Sequence, residues 1–83
     1  MAVRCYVLVE TAVGKARYVG GNLGNLTPDG GRILSVETVT GPYDVIACLE
    51  ADDLDLLGTF ITERIQQIDG VQRTTTCLSI RLS

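Results

Sequence analysis

Eighty-three residues, 46% of them apolar, are enough for one small domain with one core and too few for two. Seven basic against ten acidic side chains leave a net charge of −3, with no basic run, which excludes unaided DNA or RNA binding. An aromatic content of 5% rules out a stacking platform for single strands, and no apolar stretch reaches the length of a membrane span.

Val3, Cys5, Val7 and Val9 alternate with Ala2, Arg4, Tyr6, Leu8 and Glu10. The first set is apolar throughout, and the second carries Ala2, Tyr6 and Leu8, so this strand is buried on both faces. One face can meet helices of its own chain. The other needs a partner, because two helices cover only one side of a four-stranded sheet, and this predicts a dimer formed through the sheet.

From Gly14 to about Leu26, the residues Ala16, Val19, Leu23 and Leu26 follow a helical spacing, with Lys15 and Arg17 towards solvent. Gly20, Gly21 and Gly24 each cost roughly 0.5–1 kcal/mol against Ala, so this helix must draw its stability from packing. Thr27-Pro28-Asp29-Gly30-Gly31 is a turn-rich loop, and the glycine-rich segment 20–31 contains no phosphate-loop pattern.

Arg32 to Thr40 reads as a second strand and Tyr43 to Glu50 as a third, with Val45, Ala47 and Leu49 on one face and Ile46 and Cys48 on the other. A tight turn joins them, where Pro42 fixes its own φ and biases Gly41 towards an extended conformation. Asp52 is the expected N-cap of a second helix, with Asp53 and Asp55 in its first turn. Helix-start electrostatics explain these acids without a metal. Leu54, Leu57, Ile61, Ile65 and Ile68 make an apolar stripe with Phe60 beside it, and Gly70 is the expected C-cap. A last strand is predicted from Val71 to Leu82, where Leu78, Ile80 and Leu82 alternate with Cys77, Ser79 and Arg81. The order β-α-β-β-α-β predicts an α+β, ferredoxin-like fold, an antiparallel four-stranded sheet with both helices on one face.

Cys5, Cys48 and Cys77 are odd in number and lack a Cys-x-x-Cys pair, against a disulfide framework or a zinc site. Each lies in a strand-like run and reads as a small core residue. The absence of histidine removes the commonest general base and metal ligand. No catalytic residue, metal or cofactor is therefore predicted. With no signal-peptide layout at the N-terminus, the chain reads as cytoplasmic.

The turn Val39-Thr40-Gly41-Pro42-Tyr43-Asp44-Val45 carries the most chemistry. Gly41 removes a side chain, the amides of Gly41, Tyr43 and Asp44 are donors for a carboxylate, and Asp44 can accept from an ammonium. That set suits the two ends of a free α-amino acid, although Gly-Pro-x-Asp is also a common turn composition. Thr74, Thr75 and Thr76 are good strand residues, and their hydroxyls can donate or accept without burying a charge.

The order strand, helix, Val-Thr-Gly-Pro-Tyr-Asp-Val hairpin, acid-started helix and Gly70-Val71-Gln72-Arg73-Thr74-Thr75-Thr76-Cys77 resembles the effector-binding domain of the Lrp/AsnC (feast/famine) regulators, the RAM domain. The resemblance spans nearly the whole chain, is strongest from Val39 to Leu82 and weakest from Val19 to Gly31. Family members usually have a longer helix before the loop and a shorter loop.

The resemblance implies a small-molecule amino-acid effector bound by Gly41, Pro42, Tyr43, Asp44, Thr74, Thr75 and Thr76. It also implies a homodimer and a ring of dimers with the pocket between dimers, and co-assembly with full-length Lrp/AsnC regulators. Full-length members carry an N-terminal helix-turn-helix. Here Met1 reads as a native start, so residues 1–83 resemble a stand-alone RAM domain without a DNA-binding domain. A small dimeric α+β barrel enzyme, such as a cofactor-light monooxygenase or a haem-handling protein, shares the element order, but the lack of His and Trp argues against it. An assembly-only interaction domain is the third reading, opposed by the intact Tyr43-Asp44 pair.

Overall fold

Alternation of apolar residues along the first strand sets the layout of the molecule, which the computed structural model describes over residues 2–80. The elements are β1 (Val3–Thr11), α1 (Ala16–Gly24), β2 (Gly31–Thr38), β3 (Val45–Ala51), α2 (Leu54–Phe60) continued by a π-helical turn (Ile61–Ile65), and β4 (Val71–Leu78). The sheet order is β2-β3-β1-β4 with every neighbour antiparallel, which is the ferredoxin-like arrangement.

Cys5, Val7 and Val9 of β1 and Val45, Ala47, Leu49 and Ala51 of β3 form the floor of the core. Val19 and Leu23 of α1 and Leu57, Phe60, Ile61 and Ile65 of the second helix form its roof. Register places Tyr6 between Cys48 and Cys77, and Leu8 between Ile46 and Thr75, on the opposite face of the sheet. No helix of the chain covers that face, and Tyr6 is 43% exposed there. The doubly apolar pattern of β1 thus describes one core face and one open face.

The glycines of α1 have a packing reason at one position. A Cβ on Gly20 would lie 3.0 Å from the Thr38 hydroxyl, so the missing side chain lets α1 settle onto β2. Gly21 and Gly24 face open space.

Several sequence expectations need correction. The N-cap is Asp53 rather than Asp52: its backbone is extended and its carboxylate accepts from the Leu56 N–H at 2.8 Å. The second helix does not run to Gly70. It widens into a π turn and ends at Gln66, whose N–H donates to the Ile61 carbonyl at 2.9 Å. Gly70, at φ +99, instead serves the turn into β4, and its carbonyl accepts from Ala12 N–H at 2.7 Å. Leu54 leaves the apolar stripe, 55% exposed at the first turn of α2.

β2 stops at Thr38, β3 starts at Val45, and β4 ends at Leu78; Arg81 and Leu82, also assigned to the last strand, lie outside the described residues. Register slips at Leu34 in β2 and at Gln72 in β4, each a bulge on an edge strand. Cys5 and Cys48 are buried as expected, but Cys77 is exposed, because it sits on edge strand β4 and points to the open face. Among the described residues no helix is long and apolar enough to cross a membrane.

Candidate functional site

The β2–β3 connection is wider than a two-residue turn. Residues 39–44 leave the ladder, and the loop closes where Val39 N–H donates to the Asp44 carbonyl at 2.9 Å. Gly41 takes φ +129, a conformation that L side chains rarely adopt, so the glycine is required by the path of the chain rather than by an extended backbone. Gly41 and Pro42 are exposed at the tip, while Tyr43 and Asp44 are half-buried at its base.

Asp44 is tied into the sheet twice. Its N–H donates to the Val9 carbonyl at 2.9 Å, and its carboxylate Oδ2 accepts from Thr11 N–H at 2.8 Å. β3 has run out at this level, so the side chain supplies the acceptor that a longer strand would have given β1. Oδ1 receives no hydrogen bond among the described residues. Oδ2 thus braces the hairpin.

The threonine run divides. Val9 pairs with Val45 on one side and with Thr74 on the other, so the turn and the run lie at the same end of the sheet, on opposite sides of β1. Thr75 pairs with Leu8 and points to the open face, whereas Thr74 and Thr76 pair with Val9 and Val7 and point to the helix side. There Gln66 Nε2 donates to Thr74 Oγ1 at 2.8 Å. Thr74 and Thr76 line a groove of about 430 Å³ between the second helix and β4, walled by Leu57, Ile61 and Leu78 and left open beside Gly58. Within one chain, therefore, the turn and the threonines do not close a single pocket.

Gln66 and Gly58 escape sequence reasoning. Nothing in the spacing reveals that the π turn aims Gln66 at Thr74, and the only available signal for the groove is a glycine inside an otherwise apolar helix.

At the other end of the sheet a larger, shallow hollow of about 590 Å³ lies among Gly31, Arg32, Glu50 and Asp52. Glu50 accepts from Arg4 Nη2 at 3.3 Å and from Arg32 Nε at 3.1 Å. The hydrogen bond from Arg4, followed by that from Arg32, holds the Glu50 carboxyl below the usual carboxylate range. Burial pushes the Cys5 thiol up to about 11. Among the described residues no group of three or more His, Cys, Asp or Glu side chains could hold a metal ion.

The sequence matches the Lrp/AsnC ligand binding domain over residues 29–82. FFRP-DM1, a solved structure, is 35% identical, with 94% of this chain and 99% of that one covered and a TM-score of 0.83. TTHA0845 from Thermus thermophilus is 28% identical over 98% of this chain and 96% of its own, with a TM-score of 0.85. The transcriptional regulator NMB0573 from Neisseria meningitidis, solved as an L-Met complex, shares the fold at 18% identity and a TM-score of 0.78. The match covers 95% of this chain and 50% of that regulator. No curated protein matches the sequence.

Proposed function

Because the chain belongs to the Lrp/AsnC ligand binding domain family, we propose that it is a regulatory sensing module that binds a free α-amino acid at the Gly41–Asp44 turn. The observation that carries this reading is the divided role of Asp44, with one carboxylate oxygen bracing Thr11 and the other free of protein donors among the described residues. An ammonium group has an acceptor there, and the backbone donors at the exposed tip suit a carboxylate. That NMB0573 was solved with L-Met supports the amino-acid class.

Gly41, Pro42, Tyr43 and Asp44 form the first part of the site on this reading, and Thr74, Thr75 and Thr76 the second. Because β1 separates the two parts within a chain, the site is completed by another copy. The open sheet face, with Tyr6, Leu8, Ile46 and Cys48 at its centre, supports a homodimer. Dimers then assemble into a ring and bring turns and threonines of different copies together. The module works without catalysis, in the cytoplasm, where three free thiols are compatible with a reducing compartment. Residues 1–83 match FFRP-DM1 and TTHA0845 over nearly the whole length of those chains, and on this reading the domain co-assembles with full-length regulators that supply DNA contact.

A thermal-shift screen with the twenty protein amino acids tests the proposal. A ligand at about a hundred times its Kd adds roughly 2.7 kcal/mol of stability to the folded form. For a domain of this size that is a Tm rise of about 10 °C or more. At least one amino acid is expected to produce it. No shift with any of them at millimolar concentration would overturn the amino-acid reading.

A further inference from the structure

The groove between the second helix and β4 differs from two other hollows of the surface in carrying no charge. Arg32, Glu50 and Asp52 line the hollow at the far end of the sheet, and Asp29, Glu63 and Arg64 line a smaller one of about 210 Å³ beside α2. Among the described residues, every side chain that lines the groove is apolar or neutral. Leu54, Leu57, Ile61 and Leu78 supply its apolar wall, and Thr62, Gln66, Thr74 and Thr76 its polar groups. At about 430 Å³ it falls within the roughly 300–1,000 Å³ usual for small-molecule sites.

The groove is polar at one end and apolar at the other. Thr74 lies at the end of the sheet that carries the Gly41–Asp44 turn, because it faces Val9, whose other neighbour is Val45. Leu78 faces Cys5, four residues and about 13 Å further along β4. At the polar end Thr74 Oγ1 accepts from Gln66 Nε2 at 2.8 Å, which leaves the threonine's own hydroxyl hydrogen to donate to a ligand oxygen. At the apolar end Leu54 and Leu78 are 55% and 48% exposed, apolar surface that a ligand would take out of water.

Gly58 keeps the side of the groove open. Glycine is unfavourable inside a helix relative to alanine, and neither a positive φ nor a close neighbour requires it here. A Cβ at this position meets nothing within 4 Å, so a larger side chain would stand in the mouth of the groove.

We propose that this groove seats the side chain of the effector and selects uncharged, apolar ones, with Gly58 setting the bulk admitted; the inference rests on the amino-acid site proposed above. A charged side chain entering the groove loses water and gains no partner of opposite sign, whereas an apolar one gains by leaving water. The effector's main-chain atoms lie at the Gln66–Thr74 end, and its side chain runs towards Leu54 and Leu78.

Isothermal titration of the full chain with L-leucine, L-methionine, L-alanine, L-aspartate and L-lysine tests the selectivity. L-leucine or L-methionine is expected to bind at least roughly tenfold more tightly than L-alanine, which leaves the apolar end unfilled, and the two charged amino acids not at all. Gly58→Leu is expected to weaken the preferred ligand at least roughly tenfold while its ligand-free Tm stays at or above that of wild type. Leu78→Lys, at an exposed edge position, is expected to weaken the same ligand by a similar factor through the charge it brings. L-aspartate or L-lysine binding as tightly as L-leucine overturns the selectivity and leaves an amino-acid site at the turn in place. Binding of the preferred ligand that both variants leave unchanged takes its side chain out of the groove, again without touching the turn. Failure of every amino acid to bind overturns the amino-acid reading itself, and the role of the groove with it.

Discussion

Replacing Asp44 separates two jobs that one side chain holds. In Asp44→Ala the Thr11 N–H loses its charged acceptor at 2.8 Å, and the end of β3 offers it no backbone carbonyl in exchange. A hydrogen bond to a charged group contributes about 1.5–3 kcal/mol, and partial exposure lets water take back some of that, leaving about 1–2 kcal/mol. In a domain of this size each kcal/mol moves Tm by about 4–8 °C, so the ligand-free variant should melt roughly 5–15 °C below wild type. Asp44→Asn keeps a carbonyl oxygen for Thr11 and should lose less than half as much. It no longer offers a negative charge to an ammonium, so its ligand-induced Tm rise should disappear while the fold holds. Thermal melts followed by circular dichroism, with and without ligand, read both effects. An Asp44→Ala variant that melts with wild type would refute the brace, and an Asn variant that keeps the full ligand shift would remove Asp44 from the site.

Glu50 gives a pH prediction of definite sign. Its carboxyl is held below the usual range by Arg4 and then Arg32, so its contribution to stability is present above the ordinary carboxylate pKa and is lost as pH falls through the lowered folded value. Glu50→Gln should therefore flatten the acid limb of a Tm-versus-pH curve below about pH 4.3 without changing its slope near neutrality. The thiols should also rank by position. Cys77 should react first with a thiol reagent at pH 8, and its rate should fall as protein concentration rises and the sheet face is covered. Cys5, buried and with its pKa pushed up to about 11, should stay silent until the protein unfolds.

The sequence makes the architecture legible because its strongest signals are periodic. Alternation in β1 and β3 identifies the core face, and the 3–4 spacing of Leu57, Ile61 and Ile65 identifies the buried face of the second helix. Single-residue events are hidden. The bulges at Leu34 and Gln72 depend on pairing between strands, and the π turn at Ile61–Ile65 keeps Ile61 and Ile65 in apolar register while changing where Gln66 points. Edge position defeats the core reading of Cys77, since a strand-like run says nothing about whether a neighbour covers it. The candidate site is legible as chemistry and not as geometry: residue types at 41–44 announce donors and an acid, but only the register shows β1 standing between the turn and Thr74.

Isothermal titration with the amino acid that raises Tm most, carried out above and below the concentration at which the protein assembles, probes the central claim most directly. A site built from two copies predicts tight binding in the assembled protein, at least roughly tenfold weaker binding in the dissociated form, and loss of binding in Asp44→Asn. Equal affinity at both concentrations, or binding that survives Asp44→Asn, would contradict an amino-acid site completed between copies at the Gly41–Asp44 turn.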